Sequence, residues 1–285
     1  MGAVLIIAGL TIREAIRRRL FVISLLVAGV FFFLSLLPYF MGVSHQIGIL
    51  HPHGGRPNIG LEIPVMLVLF MGLPMMRFFA VIQSTLLATG SLAGELDRGD
   101  LLVVLPRPVR RSQVLFGKWV GVILMVTLNV GIWAILLWSS LYIQLGTSYS
   151  GILEAAGIIL LYPVMFCTLA MFFSTFCSAS LASALTLFCG GVAWAEGILV
   201  TIGRLPFVDL PLMVKVGHAC PWVVPISHVD RWTDRALGDL SPSALTMRMA
   251  APPDRLASPS DLLYIALWLA VILSVTLILF KRRDL

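Results

Sequence analysis

Six separated runs of about twenty or more apolar residues dominate this chain, and no other feature constrains its fold as strongly. A helix rising 1.5 Å per residue needs about 20 such residues to cross about 30 Å of hydrocarbon. The runs cover residues 20–41, 63–94, 114–143, 155–173, 181–202 and 262–280. Only 12% of the 285 residues are Asp, Glu, Lys or Arg and 59% are hydrophobic, too little polar surface to coat a water-soluble globule of this length. The expected fold class is all-α, a polytopic membrane protein of six transmembrane helices forming one domain over 1–285.

Arg13, Arg17, Arg18 and Arg19 stand ahead of the first run. That run exceeds the 7–15 residues of a signal-peptide core and no A-x-A follows it, so it reads as an uncleaved span. Before it, Leu5, Ala8, Ile12, Ala15 and Ile16 recur at helical spacing against Thr11, Glu14, Arg17 and Arg18. The pattern predicts an interfacial elbow helix over 1–19. The second run is too long for one perpendicular span and contains Pro64, Pro74 and Arg77. A crossing that starts near Phe78 leaves Arg77 at the far interface, where its side chain can snorkel to water. Residues 65–76 are then a tilted extension or a re-entrant piece. Pro163 should kink the fourth span.

The net charge of +6 is carried beside the apolar runs rather than by a separate basic domain, so it sets membrane orientation and points to no nucleic-acid partner. With the N-terminus in the cytoplasm, twelve of the 20 Lys and Arg lie inside and seven outside, Arg77 being left in the membrane. The positive-inside rule therefore places both termini in the cytoplasm and the loops starting at 42, 144 and 203 outside, the longest being 203–261. Cys167 and Cys189 lie in apolar runs, Cys177 just beyond one and Cys220 in the outer loop, without a CxxC; no disulfide framework is expected.

The most informative stretch is GELDRGDLLVVLPRPVRRSQVLFGKWVG, residues 94–121. Glu95, Asp97 and Asp100 precede five apolar residues, Leu101 to Leu105; Pro106-Arg107-Pro108 breaks the run, Arg110 and Arg111 follow, and Gly117-Lys118 enters the third span. Five consecutive apolar residues between opposite charges are costly to leave in water, so they should lie in the interface or against a partner.

In these residues the sequence resembles the permease subunits of the ABC transporter type-2 family. The family pattern reads roughly E-x-x-x-G-T-L-x-x-L-L-S-R-P-V-x-R followed by G-K-x-x-G. Glu95, Gly99, Leu101, Leu105, Arg107, Pro108, Val109, Arg111, Gly117, Lys118 and Gly121 fit it, while Asp100, Val104 and Pro106 depart from it. The resemblance implies that 95–111 is a cytoplasmic coupling helix docking on a separate ABC ATPase. Glu95, Asp97, Arg98, Arg107, Arg110 and Arg111 would fix register by charge, and Leu101, Leu102 and Leu105 would supply buried area. It also implies a second permease subunit, identical or paralogous, a site in the cytoplasmic (inner) membrane, and export.

The chain itself should bind no cofactor. Its nearest approach to a phosphate loop, residues 112–119, lacks the leading Gly and has Trp119 where the Mg²⁺-binding Ser or Thr belongs. ATP and Mg²⁺ are expected on the partner, and catalysis is not expected of this chain. An intramembrane enzyme would show HExxH, a Ser/His dyad or paired acids; an ion-coupled secondary transporter would show inverted repeats. Neither signature is found.

Three further groups carry weaker signals. Glu196, the one carboxylate well inside an apolar run, can line a substrate path or pair with Arg77 or Arg204, and is read first as structural. His45, His51, His53, His218, Cys220 and His228 share the outer side without a metal-ligand spacing, and are read as polar loop residues. Residues 218–239 interleave Trp222, Val223, Ile226, Val229 and Trp232 with charges, which suits a short amphipathic helix at the outer interface. Gly117 with Gly121, and Gly90 with Gly94, permit close helix approach without identifying a dimer seam.

Overall fold

The computed structural model describes residues 2–17, 19–40, 68–98, 111–145, 148, 150–203, 212, 215–216, 219–237 and 257–282. Regular structure there is helical throughout. Helix α1 (Gly2–Arg17) leads into α2 (Arg19–Phe40); a π-helical turn (Val68–Gly72) runs into α3 (Leu73–Arg98); α4 (Arg111–Leu145), α5 (Ser150–Ile159), α6 (Leu161–Ser174) and α7 (Ala179–Gly203) follow. A 3₁₀ turn (Cys220–Trp222), α8 (Ile226–Leu237) and α9 (Pro259–Arg282) complete the order. Five stretches are long and apolar enough to cross a membrane, α5 and α6 counting as one; α1 and α2, bent by 61° at their junction, supply a sixth as a pair.

Proline chemistry explains the two irregular spans. Pro74 has no N–H to offer the preceding turn, and that turn widens ahead of it. Residues 68–76 are therefore a continuous helical extension of the second span rather than a re-entrant piece; 65–67 lie outside the described residues. Pro163 removes the bond to the carbonyl of Ile159, the last residue of α5, so the fourth span breaks at Leu160 as the sequence predicts.

The core sits where α3, α4 and α6 meet, among Leu87, Leu92, Leu115, Met125, Trp133, Met165 and Phe166. Phe31 and Phe79 both stack on Trp133, with centroids 6.5 and 6.0 Å away. Two hydrogen-bonded pairs tie α2 to α4: Ser24 with Asn129 at 3.1 Å and Ser35 with Ser140 at 2.6 Å. The same offset of 105 residues in both means that the helices run parallel in register. These four side chains find their partners on the neighbouring helix, because lipid offers none.

The elbow helix packs differently from its sequence pattern. Ala8, Thr11 and Ala15 are buried, while Leu5 and Ile16, expected on the same apolar face, are exposed together with Ile6 and Leu10. The cause lies in α4. A Cβ at Gly117 would stand 2.8 Å from the Ile7 Cβ, and one at Gly121 would stand 2.9 Å from the carbonyl oxygen of Ala8. The two glycines form a trough that takes the Cβ ends of Ile7 and Thr11 and the backbone of Ala8, and the Thr11 hydroxyl is satisfied there by the Ile7 carbonyl at 3.0 Å. The glycine pair is thus a seam within the chain, between α1 and the start of α4.

Candidate functional site

The second and third spans are clamped where the stretch 95–111 leaves and rejoins them. Lys118 Nζ lies 2.5 Å from Glu95 Oε1 and also donates to the backbone carbonyl of Ser91. Lys118 is buried, its side chain 6% exposed, whereas Glu95 keeps 21%. An ammonium so enclosed is retained only if paired, and the carboxylate and carbonyl one turn apart on α3 supply that pairing. Glu95, expected to face a partner, is thus engaged inside the chain. Asp97 and Arg98 lie in the last turn of α3 and Arg111, half-buried, opens α4. Leu101, Leu102, Leu105, Arg107 and Arg110 lie outside the described residues. The trough at Gly117 and Gly121 flanks Lys118, so α1 presses on the same turns that hold the bridge.

Arg77, its side chain 28% exposed, pairs with Asp230 rather than with Glu196. Its Nη1 donates to Asp230 Oδ1 of α8 at 2.7 Å and to the Tyr162 hydroxyl at 3.2 Å, and the guanidinium lies over the Tyr162 ring, 5.0 Å from its centroid. Tyr162 in turn donates to Asp230. An arginine at the edge of hydrocarbon is better served by a carboxylate, a hydroxyl and a π face than by water reached through its stem. The predicted amphipathic helix is α8, with Ile226, Val229 and Leu237 buried; sequence spacing carried no sign that its Asp230 would reach residue 77.

Glu196 is buried near the end of α7. Burial raises the Cys220 thiol above its ordinary pKa, and the charge of Glu196 raises it further. Arg204, His45, His51, His53 and His218 lie outside the described residues. His228 meets Asp261 at 2.5 Å, and Arg231 donates to the same carboxylate oxygen at 2.9 Å. The other oxygen of Asp261 accepts the Ser258 N–H at 2.9 Å, one half of a capping box with Pro259 in the first helical position. Among the described residues no three His, Cys, Asp or Glu side chains form a group that could hold a metal ion.

A group of buried polar residues on α3 escapes the sequence reading. Gln83, Ser84, Thr85, Thr89 and Ser91 are all buried. The hydroxyls bond back to their own helix, and Thr89 also reaches Ser183 of α7 at 2.8 Å. Gln83 differs: neither amide atom has a hydrogen-bond partner among the described residues. Ser84 lines a small, partly open crevice with Ile123, Val126, Thr127, Leu160, Pro163 and Val164, beside the Pro163 break between α5 and α6. The available signal was a group of polar residues, three of them consecutive, inside an apolar helix and starting about two turns from Arg77.

Residues 5–285 match a family described as ABC-2 family transporter protein. No curated protein matches the chain.

Proposed function

Because the chain belongs to the ABC-2 transporter family, a family of multi-pass membrane permeases that implies an ABC ATPase partner, we propose that it lines an export pathway and couples it to that ATPase through 95–111. In this reading both termini and 95–111 face the cytoplasm, the chain resides in the inner membrane, and it pairs with a second permease subunit. ATP and Mg²⁺ belong to the ATPase.

The observation that carries the coupling role is the Glu95–Lys118 bridge. A surface loop that only connected two spans would need no buried ion pair across its base. Here the ends of α3 and α4 are joined at that base and backed by α1, so a push on the intervening residues is delivered to two spans and the elbow together. Rigid transmission of this kind needs a packed, discrete contact rather than a flexible hinge. The basic pair Arg110 and Arg111 supplies the charge complementarity that sets docking register.

Reversing both charges, Arg110→Glu with Arg111→Glu, tests the reading. Co-purification of the ATPase should fall by an order of magnitude or more, on the order of the cost of like-charge contacts at an interface, while the permease stays monodisperse. Undiminished association and undiminished ATP hydrolysis by the complex would count against docking at this segment.

A further inference from the structure

Helix α8 is fastened to the bundle by three attachments of different character. Underneath, Ile226, Val229 and Leu237 are buried, and α5 admits the backbone of Ala236 at Gly151, where a Cβ would stand 2.6 Å from the carbonyl oxygen. At one flank, His228 and Arg231 grip Asp261, a carboxylate whose side chain is 4% exposed and which also caps α9. At the other, Asp230 takes Arg77 of α3 and Tyr162 of α6, and here the two charged side chains remain 28% and 44% exposed.

These exposures separate a fixed joint from a breakable one. Asp261 serves the end of a span and cannot release His228 and Arg231 without stranding a buried charge. Asp230, 44% exposed where Asp261 is 4%, can return to water when the pair with Arg77 opens, so this part-buried pair contributes less net stability than the Asp261 attachment. Their partners nevertheless converge through two hydrogen bonds to one oxygen and a cation–π contact, a geometry that recloses in one arrangement only. Arg77 shares α3 with Glu95, 18 residues and about 27 Å along one helix.

We infer that Arg77, Tyr162 and Asp230 are a latch that holds α8 closed over the outer ends of α3 and α6. Displacement of α3 releases it, and the Asp261 attachment acts as the hinge. The three residues are positioning residues of the transport cycle; they carry the motion of α3 to the outer surface. The release step rests on the coupling role proposed above, whereas the latch itself does not.

The test uses the full chain in complex with its ATPase in liposomes. Val229, fully buried beneath α8, is replaced in a Cys220→Ala, Val229→Cys background, and a membrane-impermeant maleimide is added from the outer side. Without nucleotide, labelling of this parent should be slow. Asp230→Asn should speed it roughly fivefold, the shift expected from losing an exposed charge-assisted pair, and Tyr162→Phe should give an intermediate rate. The exchange Arg77→Asp with Asp230→Arg should return it to near the parental rate. Unchanged labelling in both Asp230→Asn and Tyr162→Phe overturns the latch, as does an exchange variant that labels as fast as Asp230→Asn. Cys167, fully buried in α6, reports folding: label found there marks an unpacked bundle, and the latch then stands or falls on the rate of the milder Tyr162→Phe. MgATP should accelerate labelling of the parent. A complex that hydrolyses ATP with no change in that rate overturns the release step; a complex that cannot form counts against the proposed function and leaves the latch to be judged by the nucleotide-free rates.

Discussion

Both ends of α3 are held by an arginine or lysine against a carboxylate, under opposite conditions. At the Glu95 end the partners sit on consecutive spans, the cation is buried, and a backbone carbonyl and the elbow helix complete the enclosure. At the Arg77 end the carboxylate comes from a loop helix 153 residues away, and the two charged side chains are only part-buried. Burial makes the first contact expensive to break; exposure makes the second cheap. One helix thus carries a rigid joint where force is proposed to enter and a reversible one where it is proposed to leave.

Breaking the rigid joint should have the largest effect. Glu95→Gln strands a buried ammonium and should cost about 3 kcal/mol of stability, read as a lowered unfolding temperature in detergent. Lys118→Met should cost less, since Glu95 reaches water and methionine fills the space; combining the two should recover part of the loss of Glu95→Gln alone. An equal or greater loss for Lys118→Met would mean that the ammonium is not the buried, demanding partner.

Overfilling the trough beside that joint comes next. Gly121→Val meets the backbone of Ala8, which cannot rotate aside, and should cost about 1–3 kcal/mol. Limited proteolysis should then cut between α1 and α2 sooner than in the parent. At the exposed end the expected cost is smaller: Asp230→Asn or Arg77→Gln should lower stability by no more than about 1 kcal/mol after solvent screening, and a double-mutant cycle should attribute most of it to the pair. The smallest effect is expected between the ends. Gln83→Leu replaces an amide with no hydrogen-bond partner among the described residues by an apolar side chain of similar size, and should raise stability by up to about 1 kcal/mol. If transport falls in a variant that has become more stable, Gln83 belongs to the pathway.

Most of the architecture was legible in the sequence because hydrocarbon thickness imposes a length on every span, and periodicity and proline positions then fix the details. The kink at Pro163, the elbow over residues 2–17 and the helix at 226–237 follow from such local rules. What stayed hidden was pairing at a distance. Arg77 and Asp230 are 153 residues apart, and hydropathy supplied Glu196 as the more conspicuous acid. The function of Gly117 and Gly121 was equally hidden, since a glycine pair states that something approaches closely but not what. Glu95 and Lys118 both stand out in the sequence, Glu95 as a residue for an external contact; only the fold shows that the two flanks of one segment meet each other. Residues 99–110, the centre of the proposed coupling segment, lie outside the described residues and rest on the resemblance and the flanking geometry.

The central claim is that the ATPase meets this chain at 95–111 and at the Glu95 end of α3, not at the Arg77 end. Site-specific photo-crosslinking in native membranes tests it directly, with a photoreactive amino acid placed at Leu102 in one variant and at Trp222, exposed beside α8, in another. The account predicts that Leu102 captures a nucleotide-binding ATPase chain, identified by mass spectrometry, and that Trp222 does not. Capture of the ATPase from Trp222, or its absence from Leu102 in a complex that hydrolyses ATP, would contradict it.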